Sequence, residues 1–383
     1  MDVAFWAYPW DVVDEGVEAV ATRLSSIGAS ELSVATNYHA VQAFLPHNPS
    51  RRTFFARSSA YFHPRGDYGR LAPVPNETMG EADWIETIDE SLGDAGLGLN
   101  AWTVGCHNSR LGLANPDLTL ETAHGDSLAF GLCPSNPAVR DYLVGMVTEI
   151  DDRFGVQRIE LETFDFFYGT GFRWHHDKYH TRLGQLGEFL FGLCFCDACR
   201  ARGREQGVAV ERARETTREA VDAIANRAEP PETTVEEWLA ANPTVAAYVD
   251  SRSGTVTDLF ETLARPIDAD LGYYVGLFDP ERSWMHGADL EALGAHVDYF
   301  LLTSYESSRA AVRADLETVR SQTSAPVHVG VLPGHPAVHD GESVTDIVAG
   351  LAEADVERIS FYNYGLLPER SLDWVESAVA PYL

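Results

Sequence analysis

The sequence predicts an α/β protein, a (β/α)8 TIM barrel in which eight parallel strands close into a cylinder surrounded by helices. Short apolar, β-rich runs occur eight times, and each is followed by a segment that can hold a helix or a long loop. Continuous apolar runs are typical of strands buried on both faces, and their alternation with helices predicts parallel pairing. The length of 383 residues suits one barrel with insertions. The predicted strands are residues 3–8, 31–36, 97–104, 157–163, 271–278, 297–303, 327–331 and 358–362.

Segments with apolar residues at helical spacing separate these strands, and two connections are too long for plain loops. The predicted helices are residues 14–26, 81–95, 137–154, 243–267, 310–323, 344–354 and 372–379. The long insertions follow strand two (residues 38–80) and strand four (residues 164–242). In a barrel both would lie at the C-terminal ends of the strands, where loops build active sites. We therefore predict one barrel domain over residues 1–383, with an inserted zinc-binding and helical subdomain at residues 164–242.

An open, doubly wound sheet is the alternative architecture. That fold carries a glycine-rich phosphate turn after its first strand, whereas this chain has Trp6-Ala7-Tyr8-Pro9-Trp10 there. Aromatic side chains at this point suit a sugar ring better than a pyrophosphate.

The charge balance is strongly acidic. The chain has 58 Asp and Glu against 28 Lys and Arg, a formal net charge of -30, and Lys178 is its single lysine. Repulsion among the excess carboxylates destabilises the folded state unless dissolved salt screens it. Molar salt screens these charges strongly, because it shortens the Debye length to about 3 Å. The composition therefore predicts a halophilic protein. It excludes a nucleic-acid partner, which requires a basic face.

Stability should therefore depend on ionic strength. We expect the melting temperature to rise by on the order of 10 °C between low salt and molar KCl, a few kcal/mol for a domain of this size, because screening offsets carboxylate repulsion. Thermal melts followed by circular dichroism at several KCl concentrations measure this. A melting temperature that stays constant across the series would contradict a halophilic adaptation.

The sequence predicts a cytoplasmic protein without a membrane partner. Its first residues, Met1 to Phe5, lack the basic and apolar regions of a signal peptide, and no later run approaches the roughly 18 apolar residues of a membrane span. The oligomeric state is left open.

Predicted strand four reads Ile159-Glu160-Leu161-Glu162-Thr163. Because strand side chains alternate, Ile159 and Leu161 face the helices while both glutamates face the barrel interior, with Glu162 nearer the mouth. Two ionised carboxylates there are costly, so at least one shares a proton, pairs with an arginine or has a raised pKa. A raised pKa makes a general acid. Glu162 is thus the candidate catalytic acid, and Glu160 either contacts substrate or pairs with an inward arginine.

A second carboxylate would complete the pair that glycoside hydrolysis usually needs. Asp279 after strand five and Glu306 after strand six are the catalytic candidates at strand ends, whereas Asp165 is interpreted as a surface acid. Polar and aromatic residues also follow several strands, and together they favour a carbohydrate ligand. The predicted substrate-binding residues are Trp6, Tyr8, Asn37, His39, His107, Asn108, Arg110, Glu160, Tyr305, Tyr362 and Asn363.

The cluster Cys194-Phe195-Cys196-Asp197-Ala198-Cys199 is the most specific local motif. Three thiolates at this spacing can surround one tetrahedral zinc ion and leave one ligand to come from elsewhere. Cys106 or Cys133 can complete the site, and nitrogen ligands are available near His180. Four sulfurs would make a structural zinc site that ties the insertion after strand four to the loop after strand three.

These motifs resemble two groups of glycoside-hydrolase barrels. A cysteine after strand three, a glutamate ending strand four and then Cys-x-Cys-x-x-Cys is similar to the zinc-bearing β-galactosidases of glycoside hydrolase family 42. The segments 102–112, 132–140, 175–178 and 193–199 resemble a set of uncharacterised glycosidase-like barrels over most of the chain. The resemblance implies a barrel of glycosidase ancestry, Glu162 as acid/base, and zinc on Cys106, Cys194, Cys196 and Cys199.

The leading functional prediction is a glycosidase that acts on a small oligosaccharide or glycoside. Two alternatives stay open. A metal-dependent sugar isomerase or lyase would use His39, His107, Glu162 and Asp279 as ligands of a catalytic ion. A non-catalytic sugar-binding barrel would keep the aromatic residues without a perturbed carboxylate.

Overall fold

The computed structural model describes residues 1–93, 95–169, 178–275 and 279–383. Eight parallel strands form a sheet in chain order, and the first strand pairs with both the second and the last, which closes the barrel. The predicted (β/α)8 fold is therefore confirmed. The barrel strands are β1 (Asp2–Ala7), β2 (Glu31–Tyr38), β3 (Gly98–Val104), β4 (Arg158–Glu162), β5 (Asp270–Val275), β6 (Tyr299–Thr303), β7 (Val327–Val331) and β8 (Arg358–Phe361).

The strands form where the sequence pattern places them, because each is an apolar run buried on both faces. β7 coincides with its predicted range, and most other ends differ by one or two residues. The end of the fifth predicted strand, residues 276–278, lies outside the described residues. The barrel closes where its first and last strands pair, because Asp2 to Phe5 align in parallel with Arg358 to Phe361.

Helices connect the strands and cover the barrel. The first predicted helix is two helices, because Gly16 between them has φ = 93°, a conformation that favours glycine. The helices are α1 (Pro9–Glu15), α2 (Val17–Ile27), α3 (Trp84–Leu92), α4 (Ser109–Ala114), α5 (Pro137–Arg153), α6 (Gly184–Gly192), α7 (Asp197–Glu205), α8 (Val210–Ala225), α9 (Val235–Ala241), α10 (Pro243–Ala264), α11 (Leu290–Leu293), α12 (Arg309–Arg320), α13 (Gly341–Glu353) and α14 (Glu369–Val379).

The insertion after β2 contains an antiparallel hairpin of Val41–Phe44 and Thr53–Ala56, which we call the mouth hairpin. Its inner face is buried through Ala43 and Phe54. On its outer face Phe44 and Phe55 are 69% and 63% exposed. Side chains alternate between the two faces of a strand pair, and only one face of this hairpin packs against the protein, so the side chains of the other face are exposed.

The insertion after β4 is helical in its described part, where it contains α6 to α9. Before β4, a second hairpin pairs Thr119–Glu121 with Ser127–Leu132. Over the described ranges, no helix combines the length and the apolar character that crossing a membrane requires.

Candidate active site

Glu160 lies inside the barrel and is completely buried. Its carboxylate accepts hydrogen bonds from Trp6 Nε1 at 2.9 Å and Ser33 Oγ at 3.0 Å. It also accepts a 2.7 Å bond from Arg358 Nη2. The Arg358 guanidinium lies 3.1 Å from the Glu31 carboxylate as well. Glu160 therefore neutralises an inward arginine, and its prediction as a substrate-binding residue is wrong because no part of it is accessible.

Glu162 lies two residues nearer the mouth and is 8% exposed. Trp102 Nε1 of β3 donates a 2.7 Å hydrogen bond to its Oε2. Burial raises the pKa of Glu162 to about 7; the Trp102 hydrogen bond lowers that pKa, and the Asp165 charge raises it further. A carboxyl group with this pKa is partly protonated at neutral pH, as a general acid requires.

The chain turns directly after Glu162. Thr163 has φ = 55°, in the left-handed region that β-branched residues rarely adopt. Loop amides hold this conformation: Gly105 N donates to Glu162 O at 2.9 Å and Cys106 N donates to Thr163 O at 2.8 Å. The turn ends β4 at Glu162 and keeps that side chain at the C-terminal edge of the barrel.

Tyrosines surround the Glu162 carboxyl. Burial raises the pKa of Tyr8, Tyr38 and Tyr362, and the negative charge of Glu162 adds to each rise. The hydroxyls of Tyr8 and Tyr362 are 2.9 Å apart, and Tyr8 donates to the Tyr38 hydroxyl at 3.3 Å. Tyr305 packs on Tyr362 with ring centroids 5.4 Å apart. These hydroxyls and rings can hold a polyol against the acid.

A cavity of about 590 Å³ opens beside these tyrosines at the C-terminal ends of the strands. We call it the mouth cavity. Tyr8, Tyr38 and Tyr362 line it, together with His39, whereas Glu162 is not among its lining residues. Opposite walls come from the mouth hairpin and from the loops after β7 and β8. Of the predicted substrate-binding residues, Tyr8, His39 and Tyr362 line this cavity.

Several other predicted binding residues serve the fold instead. The Trp6 ring is buried in the barrel beneath the site, and Asn363 is buried, with its Oδ1 accepting from Gly365 N at 3.1 Å. Asn108 caps α4 by accepting from Leu111 N at 3.0 Å. None of these three side chains lines the mouth cavity, and their role as substrate contacts stays a prediction.

Three other predicted substrate-binding residues do not line the mouth cavity: Asn37, His107 and Arg110. Asn37 is buried and donates to Val104 O at 2.6 Å. His107 stacks between His39 and Phe167, with ring centroids 4.3 and 4.0 Å away. Arg110 forms an ion pair with Glu77 at 2.8 Å. His107 thus supports the cavity residue His39 from behind.

Glu306 and Asp279, the two residues predicted as the second catalytic carboxylate, have different surroundings. Glu306 is exposed in the loop after β6. Asp279 accepts a hydrogen bond from Glu281 N at 3.1 Å and pairs with Arg282. Asp279 is therefore a helix cap rather than an available carboxylate.

Asp165 is buried, which contradicts its interpretation as a surface acid. Tyr273 donates a 2.6 Å hydrogen bond to its Oδ2, and His286 Nδ1 lies 3.5 Å from its Oδ1. Its charge acts on Glu162 and raises the pKa of that group. Burial is the main cause of the raised pKa of Glu162, and Asp165 adds to it.

Three cysteines of the β4 insertion gather with one cysteine from the segment before β4. Cys133, Cys194, Cys196 and Cys199 have ligand atoms within 4.8 Å of one another, and all four are buried. Cys133 Sγ lies 3.4, 3.8 and 3.5 Å from the Sγ atoms of Cys199, Cys194 and Cys196. A tetrahedral zinc with Zn–S bonds of about 2.3 Å needs sulfurs about 3.8 Å apart. The four thiols therefore fit a structural metal site.

The prediction of Cys106 as the fourth ligand is wrong. Cys106 is buried near Asp165, and its place in the cluster is taken by Cys133, which follows the hairpin strand Ser127–Leu132. The hairpin returns the chain to the insertion, and Cys133 N donates to Leu118 O at 2.9 Å. The cluster still ties the segment between β3 and β4 to the β4 insertion, as predicted.

The ligand set of the isomerase alternative does not form. Within the described part of the chain, the four-cysteine cluster is the one group of three or more His, Cys, Asp or Glu residues close enough to share a metal ion. His39 and His107 stack face to face instead of converging on a point with Glu162 and Asp279.

The site also contains residues that the sequence reasoning missed. Trp102 orients Glu162, while Tyr38, Trp374 and Arg370 line the mouth cavity. Tyr38 and Trp102 were detectable as aromatic residues at the ends of β2 and β3. Arg370 and Trp374 carry no such signal, since they lie in the first turns of a surface helix.

The described structure is a closed (β/α)8 barrel with a buried glutamate at the end of β4, and two glycoside hydrolases share this fold. The β-galactosidase from the psychrophilic Marinomonas ef1 has a similar structure, with a TM-score of 0.60 and 14% identity over 98% of this chain. This chain spans 58% of that galactosidase. The PgaB (BpsB) glycoside hydrolase domain from Bordetella bronchiseptica gives a TM-score of 0.60 and 11% identity, covering 99% of this chain and 98% of the domain.

No protein-family model matches the chain, and no curated protein matches it in sequence. The predicted resemblance to glycoside-hydrolase barrels is confirmed by the structural matches. At 11–14% identity these matches establish the shared fold.

Proposed function

We propose that this protein is a glycoside hydrolase in which Glu162 is the general acid. The observation that carries the proposal is the position and state of Glu162. Its carboxyl ends β4, is buried, and has its pKa raised to about 7 by burial. Glu162 does not itself line the mouth cavity, but its charge acts on Tyr8, Tyr38 and Tyr362, which do. The shared fold with two glycoside hydrolases supports the same assignment.

The chemistry assigned to Glu162 is proton transfer to the leaving glycosidic oxygen. The Trp102 N–H holds one carboxyl oxygen at 2.7 Å and so limits rotation of the group. Asp165 favours the protonated form through its charge. Glu306 is the candidate for the second carboxylate, because it is exposed after β6 whereas Asp279 is held by Arg282.

The proposed substrate is a small oligosaccharide or glycoside bound in the mouth cavity, with aromatic walls packing on sugar rings. We further propose a zinc ion on Cys133, Cys194, Cys196 and Cys199. Bound there, zinc would serve as a structural cross-link. The setting we propose is a salt-rich cytoplasm, which the net charge of -30 suits.

A non-catalytic sugar-binding barrel is the second candidate. The commitment of Asp279 to Arg282 favours it, because this pairing removes one of two predicted second carboxylates. A binding module would retain sugar affinity without any turnover.

The pH dependence of hydrolysis tests the proposal. Chromogenic glycosides are screened in molar KCl, and kcat/KM is measured against pH for any that are cleaved. The acid must be protonated to act, so kcat/KM should fall as pH rises through about 7, the pKa of buried Glu162. A melting temperature measured across the same pH range controls for unfolding. Sugar binding without cleavage of any glycoside would favour the binding module.

A further inference from the structure

The mouth cavity differs in charge from the rest of the protein. Asp and Glu make up 58 of 383 residues, yet neither occurs among the described residues that line this cavity. The cavity of about 740 Å³ beside α5 is lined by four acids, including Asp141 and Asp152. The cavity of about 380 Å³ below β7 is lined by Asp355 and Glu357. The mouth cavity thus has no Asp or Glu among its described lining residues, whereas each of the other two cavities combines acids with at least one arginine.

One guanidinium and two imidazole side chains line the same cavity. Arg370 belongs to its wall, together with His335 and His339 of the loop after β7. The Arg370 guanidinium lies over the Trp374 ring, 5.7 Å from its centroid, which fixes its position. The adjacent acid, Glu369, faces away toward Arg23 at 3.7 Å. Glu369 is thus engaged by Arg23, and among the described residues Arg370 forms no ion pair with a carboxylate.

The helix that carries Arg370 begins at the cavity. The residue before α14 is Pro368, which makes no side-chain cap, and Pro368, Arg370 and Ser371 at this positive end of the helix dipole line the cavity. Ser371 borders the cavity in this first turn and is only 1% exposed. Its hydroxyl has no hydrogen-bond partner among the described residues. A buried hydroxyl of this kind is a donor that a ligand can satisfy.

The position matches a general property of the fold. In (β/α)8 barrels, anionic phosphate groups are often held by the loops after strands seven and eight and by a helix N-terminus. Here the loop after β7 contributes residues that include Gly334, His335 and His339, and the segment after β8 contributes Leu366, Leu367, Pro368, Arg370 and Ser371. Both flank the tyrosine wall that adjoins Glu162.

We propose that the mouth cavity binds an anionic substituent of the sugar, a carboxylate or a phosphate, through Arg370 and the start of α14. The inference rests on the proposed glycosidase function and names its substrate class, glycosides of acidic sugars. A negative charge placed there meets a guanidinium, helix N–H groups and no opposing carboxylate from the described lining. Neutral sugars leave these groups without a partner.

Binding of matched sugar pairs tests the inference. The probes are glucuronate and glucose 6-phosphate against glucose, and galacturonate against galactose, titrated by calorimetry in the salt that keeps the protein folded. We expect at least one anionic sugar to bind about tenfold more tightly than its neutral partner, as a charge-assisted hydrogen bond provides. The uronate and phosphate arms distinguish the two sources of charge.

Arg370→Ala should remove this preference, because the affinity for the anionic sugar should fall about tenfold more than the affinity for its neutral partner. Arg227→Ala is the matched control, since Arg227 is also an exposed arginine and its loss changes the net charge equally. Equal affinities within every pair, or equal effects of the two substitutions, would overturn the inference.

Different results would refute the proposed glycosidase function and the proposed class of substrate. Binding needs no turnover, so an anionic preference without hydrolysis of any glycoside refutes the proposed function alone. Glu162-dependent hydrolysis of neutral glycosides with no anionic preference refutes the substrate class alone.

Discussion

Replacing Glu162 with Gln is expected to lower kcat by at least about 100-fold on any glycoside that the protein hydrolyses. Gln keeps the size of the side chain but cannot donate an acidic proton. Because Trp102 can still donate its hydrogen bond to the amide oxygen, we expect the melting temperature and sugar affinity to stay nearly unchanged. Steady-state kinetics, calorimetric binding and thermal melts separate these effects.

Glu160→Gln is the matched control, two residues earlier on the same inner face of β4. Its carboxylate neutralises the buried Arg358 at 2.7 Å, so removing the charge should cost roughly 3 kcal/mol in the free energy of unfolding. Activity per folded molecule should be largely retained. If Glu162→Gln kept most of the activity, Glu162 would not be the acid, and Glu306 would be the next carboxylate to replace.

Replacing Cys133 with Ser is expected to abolish stoichiometric zinc binding. The purified wild-type protein should contain one zinc per chain, and the variant close to none, because the thiolate of Cys133 lies within 3.8 Å of the other three sulfurs. Structural zinc contributes directly to folding free energy, so the melting temperature should fall by about 10 °C or more. Elemental analysis and thermal melts measure both effects.

Cys106→Ser is the control for this change. Cys106 is equally buried but lies outside the cluster, so its variant should retain one zinc per chain whatever its stability. Loss of zinc from Cys106→Ser together with its retention in Cys133→Ser would restore the sequence-based choice of ligand. A wild-type protein purified without zinc and unable to take it up would refute the metal site itself.

The sequence by itself determined the barrel and the direction of the two glutamates. Both follow from patterns that are local in the chain: apolar runs that must be buried on two faces, and the two-residue repeat of a strand. Glu160 and Glu162 point inward because Ile159 and Leu161 must face the helices. The sequence also showed three ligands of the cysteine cluster, since Cys194, Cys196 and Cys199 lie within one short segment.

The tertiary structure was needed to identify every feature in which residues far apart in the chain come into contact. Cys133 and Cys106 are equivalent by spacing, and the return of the hairpin before β4 selects Cys133. Glu160 became a structural ion and Asp279 a cap once Arg358 and Arg282 were placed beside them. The mouth cavity joins loops after β1, β2, β7 and β8, and the burial of Glu162 depends on side chains from several strands. Packing between different loops sets the contacts across the barrel mouth, and these contacts exclude water from Glu162. A periodic pattern of apolar residues along the chain does not predict which loops meet.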